Sequence, residues 1–298
     1  MAHHFFFRLL LLFLIFAMLG STGWTHDLAD IKKAGVLRHL AIPYANFYTG
    51  REDGLDVEMI KGFAEALGVR YKLIETSWKD VFGDLTGHNA RREGKNAKLL
   101  DKVPVRGDLV ANGMTILGWR TQVVNFSEPT FPSGVWLIAR ADSPLTPITP
   151  TGKLKEDIKQ VKTQLHNHGV LALANTCLDP GLYNMNATGA DIRLQPKERK
   201  LNEMVPAVLN NDADSTLLDV PDALIALERW PGQIKVIGPI SDAQLMGVAF
   251  RKDTPKLREA FNTYFKRIRT DGTYNRLVKK YYPAVFRYSA DFFTQPAQ

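Results

Sequence analysis

Short apolar strands alternate with amphipathic helices in two successive series, and that alternation limits the chain to layered α/β lobes with helices packed on sheets. Val36 to Ile42 reads as the first strand. From Leu55 onward apolar residues fall at Leu55, Met59, Ile60, Phe63 and Leu67, the 3.6-residue period of a helix lying on a sheet, with Gly68 as its stop. Strands are expected at Tyr71 to Ile74, Leu109 to Met114 and Val135 to Ala139, with a short helix over Trp78 to Leu85. Pro144, Pro147 and Pro150 then interrupt the pattern before it resumes. The second series predicts strands at Val170 to Ala174, Ile192 to Leu194, Ser215 to Leu218, Ile234 to Ile237 and Met246 to Phe250. Helices are expected over Leu154 to Leu165, around Met204 to Leu209, and over Asp222 to Leu227. Two more should close the chain, Pro255 to Thr270 and Thr273 to Tyr281.

A length of 298 residues suits two middling domains. The first twenty-five residues read as an export signal. Arg8 precedes the apolar stretch Leu9 to Leu19, which is short for a membrane span, and small residues follow at Gly20 to Gly23. Cleavage is expected after Gly23 or Thr25, giving a periplasmic protein; the alternative is an uncleaved anchor. Cys177 is the only cysteine, so an internal disulfide is impossible, and an inert or pocket-lining thiol is the expected role. Of the formal charge of +7, more than half comes from residues 86–107, where Arg91, Arg92, Lys95, Lys98, Lys102 and Arg106 face only Glu93 and Asp101. No nucleic-acid-binding module accompanies them, so no nucleic-acid partner is expected. The segment lacks a sustained period and reads as a solvated surface insertion.

Several blocks in order resemble one family. They are Gly54-Leu55-Asp56-Val57-Glu58 with Phe63 to Val69, then Ser77-Trp78-Lys79-Asp80, then Gly107-Asp108-Leu109 through Gly113-Met114-Thr115-Ile116 and Arg120. Asn125-Phe126-Ser127-Glu128-Pro129 and Asp271-Gly272-Thr273-Tyr274 with Leu277, Lys280 and Tyr281 complete the set. This arrangement resembles bacterial extracellular solute-binding proteins of the polar-amino-acid type. The resemblance implies a two-lobed periplasmic-binding-protein-like α/β fold with two crossover hinge strands. Lobe 1 would be 26–138, with the basic insertion 86–107, plus 245–298; lobe 2 would be 139–244. The second strand–helix series, starting after Ala139, supports that division independently.

The same resemblance implies ligand-binding residues. Asn112, Gly113, Thr115 and Arg120 would surround a ligand carboxylate, for which a planar guanidinium fork is the best partner; the alternative for Arg120 is a surface arginine at the end of a loop. Asn175 and Thr176 match a pair at a helix N-terminus that donates to the same carboxylate, or simple N-caps. Asp219 matches the acceptor of the ligand's ammonium, or a cap for the helix after Pro221. Tyr44 and Trp78 match aromatic walls around the ligand's side chain; Phe47 reads as core. The family's binders of basic amino acids carry an Asp where this chain has Ala41, which weakens the case for a cationic ligand.

The expected function is capture of a small carboxylate-bearing solute, an amino acid above all, by a monomer that delivers it to an inner-membrane ABC permease. No cofactor, metal or catalytic residue is expected. His166 and His168 are too few ligands for a metal site. The alternatives are a secreted dehydratase-like enzyme or a sensory module on the same fold. Membrane-bound lytic transglycosylases carry a similar module before their catalytic domain; with the sequence ending at residue 298, transglycosylase activity is not the expectation.

Overall fold

Helix Leu55–Leu67 anchors the first layer, and its burial follows its sequence period: Leu55, Met59, Ile60, Phe63 and Ala64 are all inside. Gly68 ends it with φ of 72°, a left-handed cap that glycine adopts without steric cost. The computed structural model describes residues 27–196 and 201–294; the expected export signal over residues 1–25 lies outside them. Among the described residues no helix is long and apolar enough to cross a membrane.

Two five-stranded sheets carry the fold. The first runs in the order Arg70–Glu75, Val36–Ala41, Leu109–Val110, Ala249–Phe250, Asn125–Phe126. Its first three strands are parallel, as strand–helix–strand units demand, and Ala249–Phe250 is antiparallel to both neighbours. The second runs Asp191–Leu194, Gly169–Ala172, Ser215–Asp219, Val135–Arg140, Ile234–Pro239. Val135–Arg140 thus belongs to the second sheet, antiparallel to both Ser215–Asp219 and Ile234–Pro239. The passage between sheets falls a few residues before the boundary expected at 138.

Phe131–Ser133 and Gln244–Met246 make that passage together, paired antiparallel. A single strand over Met246 to Phe250 was the sequence expectation. Instead the chain changes partners midway, Gln244–Met246 pairing at the crossing and Ala249–Phe250 in the first sheet. Between them the Gly247 N–H reaches the Met114 carbonyl and the Val248 N–H reaches Ser127 Oγ. The expected strand Leu109 to Met114 is also shorter, with only Leu109–Val110 pairing. Beyond it the backbone turns at Gly113, where φ is 66° and an added Cβ would sit 2.4 Å from the Phe47 ring. Phe47 itself packs on Phe131 and Tyr282, with ring centroids 5.2 and 4.9 Å away, and is core as expected.

The basic insertion is ordered rather than a loop. His88–Glu93 pairs antiparallel with Asn96–Lys102 across a two-residue turn at Gly94 and Lys95. Gly94 supplies the positive φ that such tight hairpins use.

Asp56, in the first turn of helix Leu55–Leu67, is buried and accepts the Gly113 N–H at 2.7 Å. Burial pushes its carboxyl up to about 7, against the pull of that hydrogen bond. Between the unfolded value near 3.8 and about 7 the folded protein therefore holds a proton that the unfolded chain has released. Stability should fall as pH rises through this window, by at most about 1.4 kcal/mol per pH unit. Asp56→Asn keeps an acceptor for Gly113 and cannot ionise, so urea melts of the variant should lack this decline. Parallel profiles for the two proteins across the window would mean that Asp56 titrates normally.

Candidate functional site

Arg120 lies in a four-residue helical turn, Gly118–Thr121, just beyond the loop that leaves strand Leu109–Val110. Its side chain is 0% exposed. Its Nη1 donates to the Thr115 carbonyl at 2.9 Å, while Nε and Nη2 have no acceptor among the described residues. The guanidinium carbon sits 5.5 Å from the ring centroids of both Trp78 and Trp119, so two indole faces carry the cation. Burial lowers its pKa, and the nearby acidic side chains oppose that shift. A guanidinium remains charged under such a shift. The site therefore holds a desolvated cation with donors still available.

Other polar groups around it share this condition. Asn112 is fully buried, and neither its Oδ1 nor its Nδ2 is hydrogen-bonded among the described residues. The same holds for Thr115 Oγ1 and the Tyr44 hydroxyl. Buried polar atoms are almost always paired, so a cluster of unpaired ones around a buried cation makes this the candidate site. The loop bearing Asn112 and Thr115 is braced on the crossing strand Gln244–Met246, since Thr115 bridges to Met246 and the Ile116 N–H donates to the Leu245 carbonyl at 2.8 Å.

The second lobe supplies the opposite wall. Strand Ser215–Asp219 ends at Asp219, whose Oδ1 accepts the Asp222 N–H at 3.2 Å and so caps helix Val220–Arg229, with Pro221 in its first turn. Asp219 Oδ2 accepts the Cys177 thiol at 3.5 Å. The carboxylate faces Arg120 and Tyr44, and burial raises its pKa despite those partners. The Tyr44 hydroxyl points toward Asp219 but falls short of hydrogen-bonding geometry. Cys177 also lies beside Thr115 and Arg120, joining the two walls. Asp222, buried next to Asp219, has its pKa raised by burial first and by that neighbouring charge second. It borders a cavity of about 530 Å³ between the lobes, lined also by Asn46, Thr49, Arg51, Asn202 and Trp230.

The structure brings Tyr44, Trp78, Thr115, Arg120 and Asp219 to one place, with Asn112 in the same loop. The remaining expectations meet a different geometry. The Gly113 N–H is engaged by Asp56 and does not offer itself to a carboxylate. Asn175 is exposed, with φ of 62°, and its N–H donates to Asp179 Oδ2 at 2.9 Å. No helix starts at Asn175 and Thr176: Pro180–Leu182 is a single 3-10 turn capped by Asp179. Thr176 is buried, but its hydroxyl donates to the Leu173 carbonyl and accepts the Leu178 N–H. Trp78 does not stand parallel to Tyr44; their rings meet edge-on at 74°, and Trp78 lies on the guanidinium.

Sequence reasoning passed over Trp119, Tyr183 and Gln244. Trp119 was findable as the neighbour of Arg120. Tyr183 donates to the Cys177 carbonyl and accepts from Gln244 Nε2 at 3.0 Å, tying the second lobe's wall to a crossing strand. Nothing local in the sequence signals that link.

Comparison with known proteins follows the same outline. Residues 104–284, more than half of the chain, match the family described as bacterial extracellular solute-binding proteins, family 3. Over 290 residues, 93% of this chain, the sequence is 26% identical to membrane-bound lytic murein transglycosylase F of Desulfosudis oleivorans, and it spans only 57% of that protein's length. It is 26% identical over 236 residues to the L-cystine-binding protein TcyJ of Escherichia coli, covering 79% of this chain and 76% of that one. A crystal structure of a mutant of ArgBP from T. maritima superposes with a TM-score of 0.68 at 21% identity, over 86% of this chain and 99% of the other. The two lobes and their paired crossing strands are therefore a known two-lobed α/β fold.

Burial pushes the Cys177 thiol up to about 12, with Asp219 adding to the effect. The native protein at pH 8 should react with Ellman's reagent far more slowly than the denatured chain, since the thiolate is the nucleophile. Equal rates would show that Cys177 is accessible and ionised.

Proposed function

This chain belongs to the bacterial extracellular solute-binding proteins of family 3, and from that membership we propose that it captures a zwitterionic amino acid between its lobes by binding alone. The observation that carries the reading is Arg120: a buried cation with two unbonded donor atoms, Nε and Nη2, faced by the buried carboxylate of Asp219. A ligand carboxylate would take the Nε and Nη2 edge of the guanidinium as a bidentate pair. Thr115 Oγ1 and Asn112 Nδ2 would share its oxygens, since both are buried and unpaired. The ammonium would go to Asp219, whose carboxylate lies near enough to Arg120 to interact with its charge. The Tyr44 hydroxyl would add a further polar contact.

A zwitterion inserted there replaces one cross-cleft attraction by two. Contacts to both lobes are what favour the closed form, so ligand shifts a hinge equilibrium about Phe131–Ser133 and Gln244–Met246. In the same reading residues 1–25 direct export, and the loaded monomer delivers its solute to an inner-membrane ABC permease. L-cystine is the first candidate, because a relative bearing that name covers most of this chain at 26% identity.

A thermal-shift screen of the protein against L-cystine, L-histidine, L-arginine, the other common amino acids, dicarboxylates and prephenate tests the proposal. One amino acid at a hundredfold excess over its Kd should stabilise the fold by about 3 kcal/mol. Silence across the amino acids, with a shift or turnover from prephenate, would move the site to the dehydratase-like reading.

For whichever amino acid binds, Arg120→Ala should weaken affinity by about two orders of magnitude or more, as removal of one partner of a buried charge pair does. Isothermal titration measures this. Unchanged affinity would remove Arg120 from the site.

A further inference from the structure

The basic hairpin His88–Lys102 is built onto the first lobe, yet it touches both walls of the cleft. On one side it leans on the helical turn that bears Arg120: the Ala97 N–H donates to Gln122 Oε1 at 3.0 Å, and Gln122 Nε2 reaches back to the Lys95 carbonyl at 3.4 Å. On the other side Arg92 crosses to the second lobe, where its Nη2 donates to Asp179 Oδ1 at 2.6 Å. That pair spans 87 positions in sequence, and its side chains are only 16% and 10% exposed. Arg92 Nη1 donates to the Gly94 carbonyl at 2.8 Å, which holds the guanidinium in place.

Asp179 is not an idle partner. Its Oδ2 accepts the Asn175 N–H and its Oδ1 the Gly181 N–H, both at 2.9 Å, so it shapes the turn from Asn175 to Gly181. That turn carries Thr176 and Cys177, and Cys177 faces Arg120 and Thr115 across the cleft. We propose that Arg92 is a positioning residue for ligand capture: through Asp179 it holds the second lobe's cleft-facing turn closed over Arg120, without touching the ligand. This rests on the reading of the cleft as a solute site.

The physics is specific to the closed form. The two ends of the ion pair ride on different lobes, so the bond is lost on opening, when both groups return to water. A partly buried, charge-assisted hydrogen bond with its guanidinium already braced keeps more of its strength than a freely solvated pair. It therefore biases the hinge equilibrium and slows release, while contributing little to the folding of either lobe alone. Arg91, next on the same strand, is a natural control, because it is exposed and its ion pair, at 3.8 Å, is with Glu93 of its own hairpin.

The test compares wild type with Arg92→Ala, Asp179→Asn, the double variant and Arg91→Ala. Small-angle X-ray scattering reads lobe closure with and without L-cystine, and stopped-flow fluorescence reads L-cystine release. We expect Arg92→Ala to raise the radius of gyration and to speed release about tenfold, the scale of a partly buried pair. The double variant should be no worse than the more affected single one, which Asp179's additional role in shaping its turn cannot produce alone. Arg91→Ala should leave both readouts unchanged. If L-cystine does not bind, a more open ligand-free Arg92→Ala protein still supports the hairpin's role, and only L-cystine is removed as the solute. Scattering and release identical to wild type in Arg92→Ala, or equal effects of Arg91→Ala, overturn the proposal.

Discussion

The buried charge of Arg120 sets the terms for the rest of the cleft. Removing a guanidinium from water costs several kcal/mol unless its N–H groups find acceptors and its charge finds a counter-charge. Here one donor is satisfied by the Thr115 carbonyl, two indole faces supply diffuse attraction, and Asp219 stands across the cleft. None of these occupies Nε or Nη2. The protein has carried most of the desolvation cost in advance and left the strongest donors for something anionic. Binding energy at such a site is selective, because a ligand without a carboxylate would leave the same donors unmet.

The loop holding Arg120 is also mechanically placed. Thr115 and Ile116 are bonded to the crossing strand Gln244–Met246, and Gln244 continues through Tyr183 to the Cys177 carbonyl of the second lobe. A ligand that repositions Thr115 therefore acts next to the hinge. Asp219 has a comparable double role. It caps helix Val220–Arg229 and presents a carboxylate to the cleft, so the acceptor is fixed by secondary structure rather than by a mobile loop. The neighbouring Asp222 has its pKa pushed well above the ordinary carboxylate range by burial and then by Asp219, so its neutral form is favoured beside that carboxylate.

Much of this fold was legible because it depends on short-range periodicity. Helix Leu55–Leu67, the strand Ser215–Asp219 and the helices Pro255–Thr270 and Thr273–Tyr281 lie where their apolar spacing put them, although the short helices Val285–Tyr288 and Ala290–Thr294 follow where none was expected. The failures lie where specific hydrogen-bond partners, not periodicity, decided the local outcome. The run Met246 to Phe250 looks like one strand, but its two ends pair with different sheets. Asn175 and Thr176 look like helix caps, but Asp179, Pro180 and Gly181 close a tight turn on them. Within the candidate site, Tyr44, Thr115, Arg120 and Asp219 were nameable because the family resemblance implied them; of the four, Asp219 ends a strand and Arg120 lies in the turn Gly118–Thr121. Tyr183 and Gln244 were not, since their relevance exists only after two lobes meet.

The hairpin shows the same limit for electrostatics. Counted along the chain, residues 86–107 form a basic block that reads as a solvated surface insertion. Folded, Arg106 pairs with Asp84 at 2.7 Å and Arg92 with Asp179 at 2.6 Å, both acids belonging to other elements of the same chain. Lys98 and Arg91 turn to Glu93 within the hairpin, on a face where such pairs contribute little. Two of the six basic residues thus serve attachment: Arg106 roots the insertion in its own lobe and Arg92 reaches the other. Local charge counts could not separate these from the solvated lysines, because the deciding carboxylate at Asp179 lies 87 positions away from Arg92. What reads as surplus charge in sequence is, at Arg92, the counter-charge of a carboxylate that shapes the wall of the cleft.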